Sequence, residues 1–252
     1  MFSAACLAAC TLLAPLCTGM APAAAARTPA PAPDAVTFAG TPAVGALFAV
    51  TSIGLRHFCT AAVVRSAPGN LVITAAHCLE GRHIGPHGNV IFAPGYHDGR
   101  FPHGRWMVMS AIEDGDWRRS HDPNDDVAFL VVGRRGHHLE RYTGAEAVAT
   151  STRLPQIVRV IGYPNRLNLP VRCTGPARAL RLAGLRQLVF DCRGFANGTS
   201  GGPFLMHVRR SGAGSVIGVI GGYQKGGKLT SVSYSARFLR NVAGLYRRAR
   251  QA

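Results

Sequence analysis

Two stretches of equal length, CTAAVVRSAPGNLVITAAHC (Cys59–Cys78) and CTGPARALRLAGLRQLVFDC (Cys173–Cys192), each begin and end in cysteine. The first holds two β-rich runs around Pro68-Gly69-Asn70, a hairpin signal that brings Cys59 opposite Cys78 at the open end. The second folds in the same way about Gly184 and pairs Cys173 with Cys192. Each bridge closes a loop of about 20 residues, worth about 3 kcal/mol in the chain-entropy model before any strain. The other cysteines, Cys6, Cys10 and Cys17, all lie in an N-terminal stretch that reads as removable. An even number left in an exported chain is a disulfide framework. No C-x-x-C occurs, so neither a zinc site nor any other metal or cofactor is expected.

Residues 1–26 carry no charged side chain and end in alanines that suit a cleavage site, so they read as a secretory signal peptide. Pro15 and Pro22 interrupt a stretch already short for a membrane span. LAAC at Leu7–Cys10 is similar to a bacterial lipobox, which makes lipid anchoring at Cys10 the alternative to free secretion. Residues 27–39 are rich in proline and alanine and read as an extended, mobile linker or pro-segment.

From residue 40 the pattern changes to short apolar runs punctuated by Gly, Pro and Asn, among them LVITAA, NVIFA, VAFLVV, IVRVIGY and SVIGVIGGY. Many short strands between regular turn signals indicate an all-β sandwich or barrel fold. Helical spacing occurs once, near the C-terminus, where Phe238, Val242 and Leu245 fall at i, i+4 and i+7. The histidine-rich stretch between Gly81 and Trp106 lacks carboxylates at ligand spacing and reads as a solvated loop. A net charge of +16 predicts attraction to anionic cell-surface polymers. No zinc-finger, RNA-binding or recognition-helix pattern directs that charge to specific nucleic acid.

The chemistry turns on NGTSGGPF, Asn197–Phe204. Gly198-Thr199-Ser200-Gly201-Gly202 matches the G-x-S-x-G of a hydrolase nucleophile elbow, a fold whose triad runs Ser, acid, His. No acid follows Asp191, so that order is impossible. The order acid, His, Ser fares little better, because Asp34 in the linker is the only acid before His77. His, acid, Ser remains. His77 ends the apolar run LVITAAHC beside a tethering cysteine, and Asp126 enters the strand VAFLVV directly. A carboxylate entering a core strand needs a partner, and an imidazole supplies one. Asp125, one residue further out, reads as solvated.

TAAHC (Thr74–Cys78), DDVAFL (Asp125–Leu130) and GTSGGP (Gly198–Pro203) together resemble the three signature segments of chymotrypsin-like serine peptidases, and VGALF and VIGYP resemble their exported bacterial trypsin-like and V8-like members. The resemblance implies an all-β fold of two six-stranded antiparallel barrels, about 40–135 and 150–235, with a helix at about 236–250 in a domain spanning 40–252. It implies a secreted, monomeric serine endopeptidase acting on protein or peptide. His77, Asp126 and Ser200 would be catalytic, with the backbone N–H groups of Gly198 and Ser200 as the oxyanion hole. The substrate pocket would fall among Gly194, Phe195, Ala196, Asn197, Gly221, Gly222 and Tyr223.

Two departures matter. Animal-type members carry an Asp before the nucleophile that pairs with a new N-terminal ammonium, whereas Thr199 stands here, so no such ion pair is expected. No carboxylate falls at the expected pocket floor, so preference for Arg or Lys is not supported. The rival reading is a catalytically silent homologue that binds peptide or anionic polymer, and a third is an esterase using the same triad.

Overall fold

Strands whose residues are apolar on both faces must be covered on both faces. LVIT and the second half of GLRHFCTAAVV are of this kind, and they form the wall between two sheets. The computed structural model describes residues 1–2 and 31–252, so the signal peptide and most of the linker lie outside the described residues. Within Ala32–Ala252, six strands close a barrel: β2 (Val44–Thr51), β3 (Gly54–Val64), β4 (Leu71–Thr74), β5 (Val90–Pro94), β6 (Trp106–Glu113) and β7 (Ala128–Gly133). They close in the order β2-β3-β4-β7-β6-β5 around fully buried Leu47, Ile73, Phe92, Trp106 and Phe129. Burying each such side chain contributes about 1.5–3 kcal/mol, which makes this core the main stabilising element. The turn at Pro68-Gly69-Asn70 joins β3 to β4 with Val64 opposite Leu71, and Cys59 bonds Cys78.

The second sheet consists of β8 (Ala147–Val148), β9 (Gln156–Gly162), β10 (Val171–Ala179), β11 (Gln187–Asp191), β12 (Pro203–Met206), β13 (Ser215–Val219) and β14 (Val232–Ala236). Its order is β14-β11-β10-β9-β12-β13-β8, with β8 parallel to β13. The second of the two expected barrels is a curled half-barrel whose ladder stays open between β13 and β14. The seam is bridged by single contacts instead. Ser235 Oγ accepts from the Val219 N–H at 2.9 Å, and the Gly221 N–H donates to Tyr234 O at 2.9 Å. A side-chain hydroxyl standing in for a backbone partner keeps β14 from pairing with β13 directly. Phe190, Phe195, Phe204, Val158 and Ile217 fill the concave face, and Cys173 bonds Cys192.

Short helices α1 (Gly115–Ser120) and α2 (Glu140–Thr143) lie in connections, and α3 (Arg240–Ala249) ends the chain. Val242, Leu245 and Ala249 of α3 are buried in the first barrel's core cluster, and Tyr246 stacks on Phe129 at 5.5 Å. Phe238 precedes the helix yet is buried with it. The end of the proline-rich segment is also tied down. β1 (Val36–Thr37) pairs with β10, and Asp34 forms a two-point ion pair with Arg193 at 2.7 and 2.8 Å.

Glu146 sits where the first barrel meets the second sheet. Its N–H donates to Val63 O and its carbonyl accepts from Arg65, while the next residue bonds Gly214. The side chain is fully buried; Oε2 accepts from the Gly214 N–H and Oε1 has no partner among the described residues. Desolvation pushes this carboxyl up from its ordinary 4.5 to about 7, against the lowering influence of the Gly214 N–H, Arg209 and Arg65. A raised folded value means the stabilising form is the protonated one. Its contribution is complete below about pH 4.5 and is lost as pH climbs through 7. Glu146→Gln, which keeps the acceptor for Gly214, is therefore expected to stabilise the protein at pH 8 by roughly 2–3 kcal/mol. At pH 4 it should change nothing. Urea denaturation at the two pH values checks this, and equal effects at both would refute it.

Candidate active site

Ala76–Leu79 is a single 3₁₀ turn at the end of β4, and it carries His77 beside the disulfide. Another such turn, Pro123–Asp125, precedes β7; Asp122 caps it by accepting from the Asn124 N–H. This delivers Asp126 to the same end of the barrel with no solvent exposure. Asp126 Oδ1 accepts from the His77 backbone N–H at 2.8 Å and Oδ2 faces His77 Nδ1 at 2.7 Å. Oδ2 also accepts from the Gly222 N–H at 2.7 Å, a donor from the second sheet. The carboxylate thus fixes both the backbone and the ring of His77, whose Nε2 lies 3.9 Å from Cys78 Sγ. Asp125 corrects an expectation: it is buried, not solvated, and accepts from Asn241 Nδ2 of α3; burial raises its carboxyl above the ordinary range, with neighbouring Asp114, Asp122 and Asp116 adding to this against the lowering by Asn241.

Ser200 stands in the turn between Phe195 and β12. The first barrel clamps this turn: the Thr60 N–H donates to Ser200 O at 2.7 Å, and Thr60 Oγ1 donates to Gly198 O at 2.9 Å. Thr74 Oγ1 in turn bonds Thr60 O at 2.8 Å. The turn needs glycine at two points. Gly198 has φ +98°, a region that side chains avoid. At Gly201, also at positive φ, a Cβ would lie 2.1 Å from both Thr60 O and Thr74 Oγ1. Thr199 occupies the position of the expected Asp, and its hydroxyl bonds Ala196 O at 2.8 Å, closing the turn on itself. Among the described residues the N–H groups of Gly198 and Ser200 have no acceptor.

His77, Gly198, Ser200, Asn197, Asn165, Glu80 and His57 all line one cavity of about 440 Å³. Ser200 Oγ and His77 Nε2 are not hydrogen-bonded in this structure, a looseness common before substrate binds. His57 contacts Cys59 O through Nε2 at 3.2 Å, and burial pushes it down to about 4, so it stays neutral near pH 7. A second, narrower pocket beside Ser200 is lined by Phe195, Ala196 and Asn197 and by residues 225–230. The other expected pocket residues stand elsewhere. Gly194 packs on Ala35, Gly221 lies against Asp126, and the Gly222 and Tyr223 N–H groups serve the polar network below.

That network escaped sequence reasoning. Gln187, fully buried on β11, donates through Nε2 to Pro123 O at 2.9 Å and accepts from the Tyr223 N–H at 3.0 Å. It therefore binds the turn carrying Asp126 to the turn carrying Gly222. Asn124 adds Gly184 O and the Arg186 N–H. A Gln inside QLVFD gives no signal beyond being polar in a strand, and nothing in the pattern distinguishes it from a surface residue.

The description "trypsin-like peptidase domain" fits residues 59–219, well over half of the chain, and the chain belongs to that family. It is a serine-type endopeptidase of that class. No curated protein matched it. Among solved structures, the thermostable serine protease AL20 from an extremophilic microorganism is 26% identical, with TM-score 0.69 over 83% of this chain and 97% of that one. The protease Anisep from Arthrobacter nicotinovorans is 23% identical, with TM-score 0.68 over 84% and 97%. A Glu endopeptidase, 12% identical with TM-score 0.64 over 86% and 97%, shares the fold.

Gln187→Leu keeps the volume but leaves Pro123 O and the Tyr223 N–H unpaired, at about 1–3 kcal/mol each. The variant is expected to lose roughly 2–4 kcal/mol in urea denaturation and to lower kcat more than it changes KM. A variant with unaltered stability and kcat would show that the clamp is unimportant.

Proposed function

We propose that this chain is an exported endopeptidase that hydrolyses peptide bonds through His77, Asp126 and Ser200 by way of an acyl-enzyme. The observation that carries the reading is the buried Asp126 carboxylate, bonded to both the backbone and the ring of His77, a residue that lines one cavity with Ser200. In this reading Ser200 Oγ attacks the carbonyl carbon while His77 Nε2 removes its proton. The tetrahedral oxyanion is received by the N–H groups of Gly198 and Ser200, each such donor being worth about 3–4 kcal/mol. His77 then protonates the leaving amine, and a water deacylates Ser200 by the same route. Asp126 holds the tautomer with Nδ1 protonated and stabilises the imidazolium. Two disulfides suit an oxidising compartment, and no helix among the described residues is long and apolar enough to cross a membrane. The disulfides support export.

The net charge of +16 favours one second reading, a silent homologue that holds anionic cell-surface polymer. The two are separated by treating the protein with a fluorophosphonate probe beside a Ser200→Ala control. Labelling of the parent alone supports the peptidase; no labelling of disulfide-bonded protein supports the silent binder. Asp126→Asn is expected to lower kcat by about 10⁴ through the wrong tautomer, measured on a peptide substrate. A peptide-to-ester comparison excludes a pure esterase.

A further inference from the structure

The chain carries 28 lysines and arginines, and only two of them are lysine: Lys225 and Lys228. Both line the narrow pocket of about 70 Å³ beside Ser200, together with Asn197, Thr199, Gly227 and Thr230. No carboxylate lines that pocket among the described residues. Resting on the peptidase reading, we propose that Lys225 and Lys228 select substrates with an acidic side chain, Glu or Asp, on the acyl side of the cleaved bond.

The residue type argues for this. An ammonium is a compact point charge that meets a lone carboxylate without the planar fork geometry of a guanidinium. A chain that uses arginine elsewhere has lysine only where the space beside the nucleophile is small. Lys225 also occupies a left-handed turn position, φ 53° and ψ 38°, where glycine or asparagine is the easier residue. Gly226 and Gly227 follow it, so the turn presents a side chain where its sequence could readily have omitted one.

The two cations are held differently. Lys225 Nζ lies 2.6 Å from Glu80 Oε2, and Glu80 lines the neighbouring cavity that holds His77 and Ser200. His121 faces the other Glu80 oxygen at 3.8 Å. Lys228 has no carboxylate partner among the described residues. An incoming acidic side chain would meet Lys228 directly and compete with Glu80 for Lys225. Glu80 therefore sets the threshold of selection: it occupies one cation until substrate arrives.

The test uses peptides matched except at the residue before the cleaved bond, with Glu, Gln or Lys there, and reads the Glu-to-Gln ratio of kcat/KM. The parent is expected to favour Glu at least about tenfold, with Lys poorest and the ratio shrinking as salt is added. Lys228→Gln should reduce the ratio several-fold, and Glu80→Gln, which releases Lys225, should raise it. Both side chains lie on exposed loops, and the ratio within each variant cancels any general loss of activity. A parent ratio near one, or a ratio unchanged in both Lys225→Gln and Lys228→Gln, overturns the inference. Fluorophosphonate labelling of Ser200 with a ratio near one sinks the inference alone; failure to label and to cleave any peptide sinks it together with the peptidase reading.

Discussion

A carboxylate with no solvent exposure is the constraint around which this molecule is arranged. Removing an ion such as Asp126 from water costs several kcal/mol even after relaxation. The protein offsets this with donors drawn from both halves: the backbone and ring of His77 from the first barrel and the Gly222 N–H from the second sheet. Neither half satisfies the charge alone. Docking of the second sheet completes the donor set of a His–Asp pair that the first barrel supplies. The polar groups around it follow the same logic, since Gln187 and Asn124 pair backbone groups that the junction would otherwise bury without partners.

The Ser200 turn is held in the complementary way. Thr60 binds two of its carbonyls from the first barrel and is itself held by Thr74, while the turn's Gly198 and Ser200 N–H groups are left without acceptors among the described residues. Carbonyls tied back and N–H groups without acceptors are the arrangement that the proposed oxyanion hole calls for. The conformation is unfavourable for ordinary residues, as Gly198 at φ +98° shows, and the threonine contacts are what make it persist.

Legibility in the sequence followed the reach of each constraint. The disulfide pairs and the first hairpin could be read because their partners are close in the chain and each obeys a turn rule. His77, Asp126 and Ser200 could be proposed because the order of acids along the chain excludes other arrangements, a global property needing no coordinates. Gln187 and Thr60 could not. Their importance comes from a partner across the interface, and a polar residue in a strand looks the same whether its partner is water or a buried carbonyl. The open seam of the second sheet was hidden for a related reason: Ser235 replaces a ladder bond with a hydroxyl, and alternation does not register that exchange. The lysines were visible as composition all along, but their meaning depends on a pocket formed by a turn and a distant loop.

The absence of an Asp at position 199 is explained by how the pocket loop is braced. With an Asp there, a buried charge would need a cation brought to it. Thr199 needs none, because its hydroxyl is satisfied by Ala196 O within the same turn. The loop just before it is braced from outside. Arg193 N–H donates to Pro33 O, the Ala35 N–H donates to Arg193 O, and the Asp34 carboxylate grips the Arg193 guanidinium. That ion pair is exposed and screened by water, so the backbone pairing sets the geometry and the charges fix its register. All of these braces use groups from the interior of the chain. The loop before Ser200 is thus braced by backbone pairing with residues 33–35.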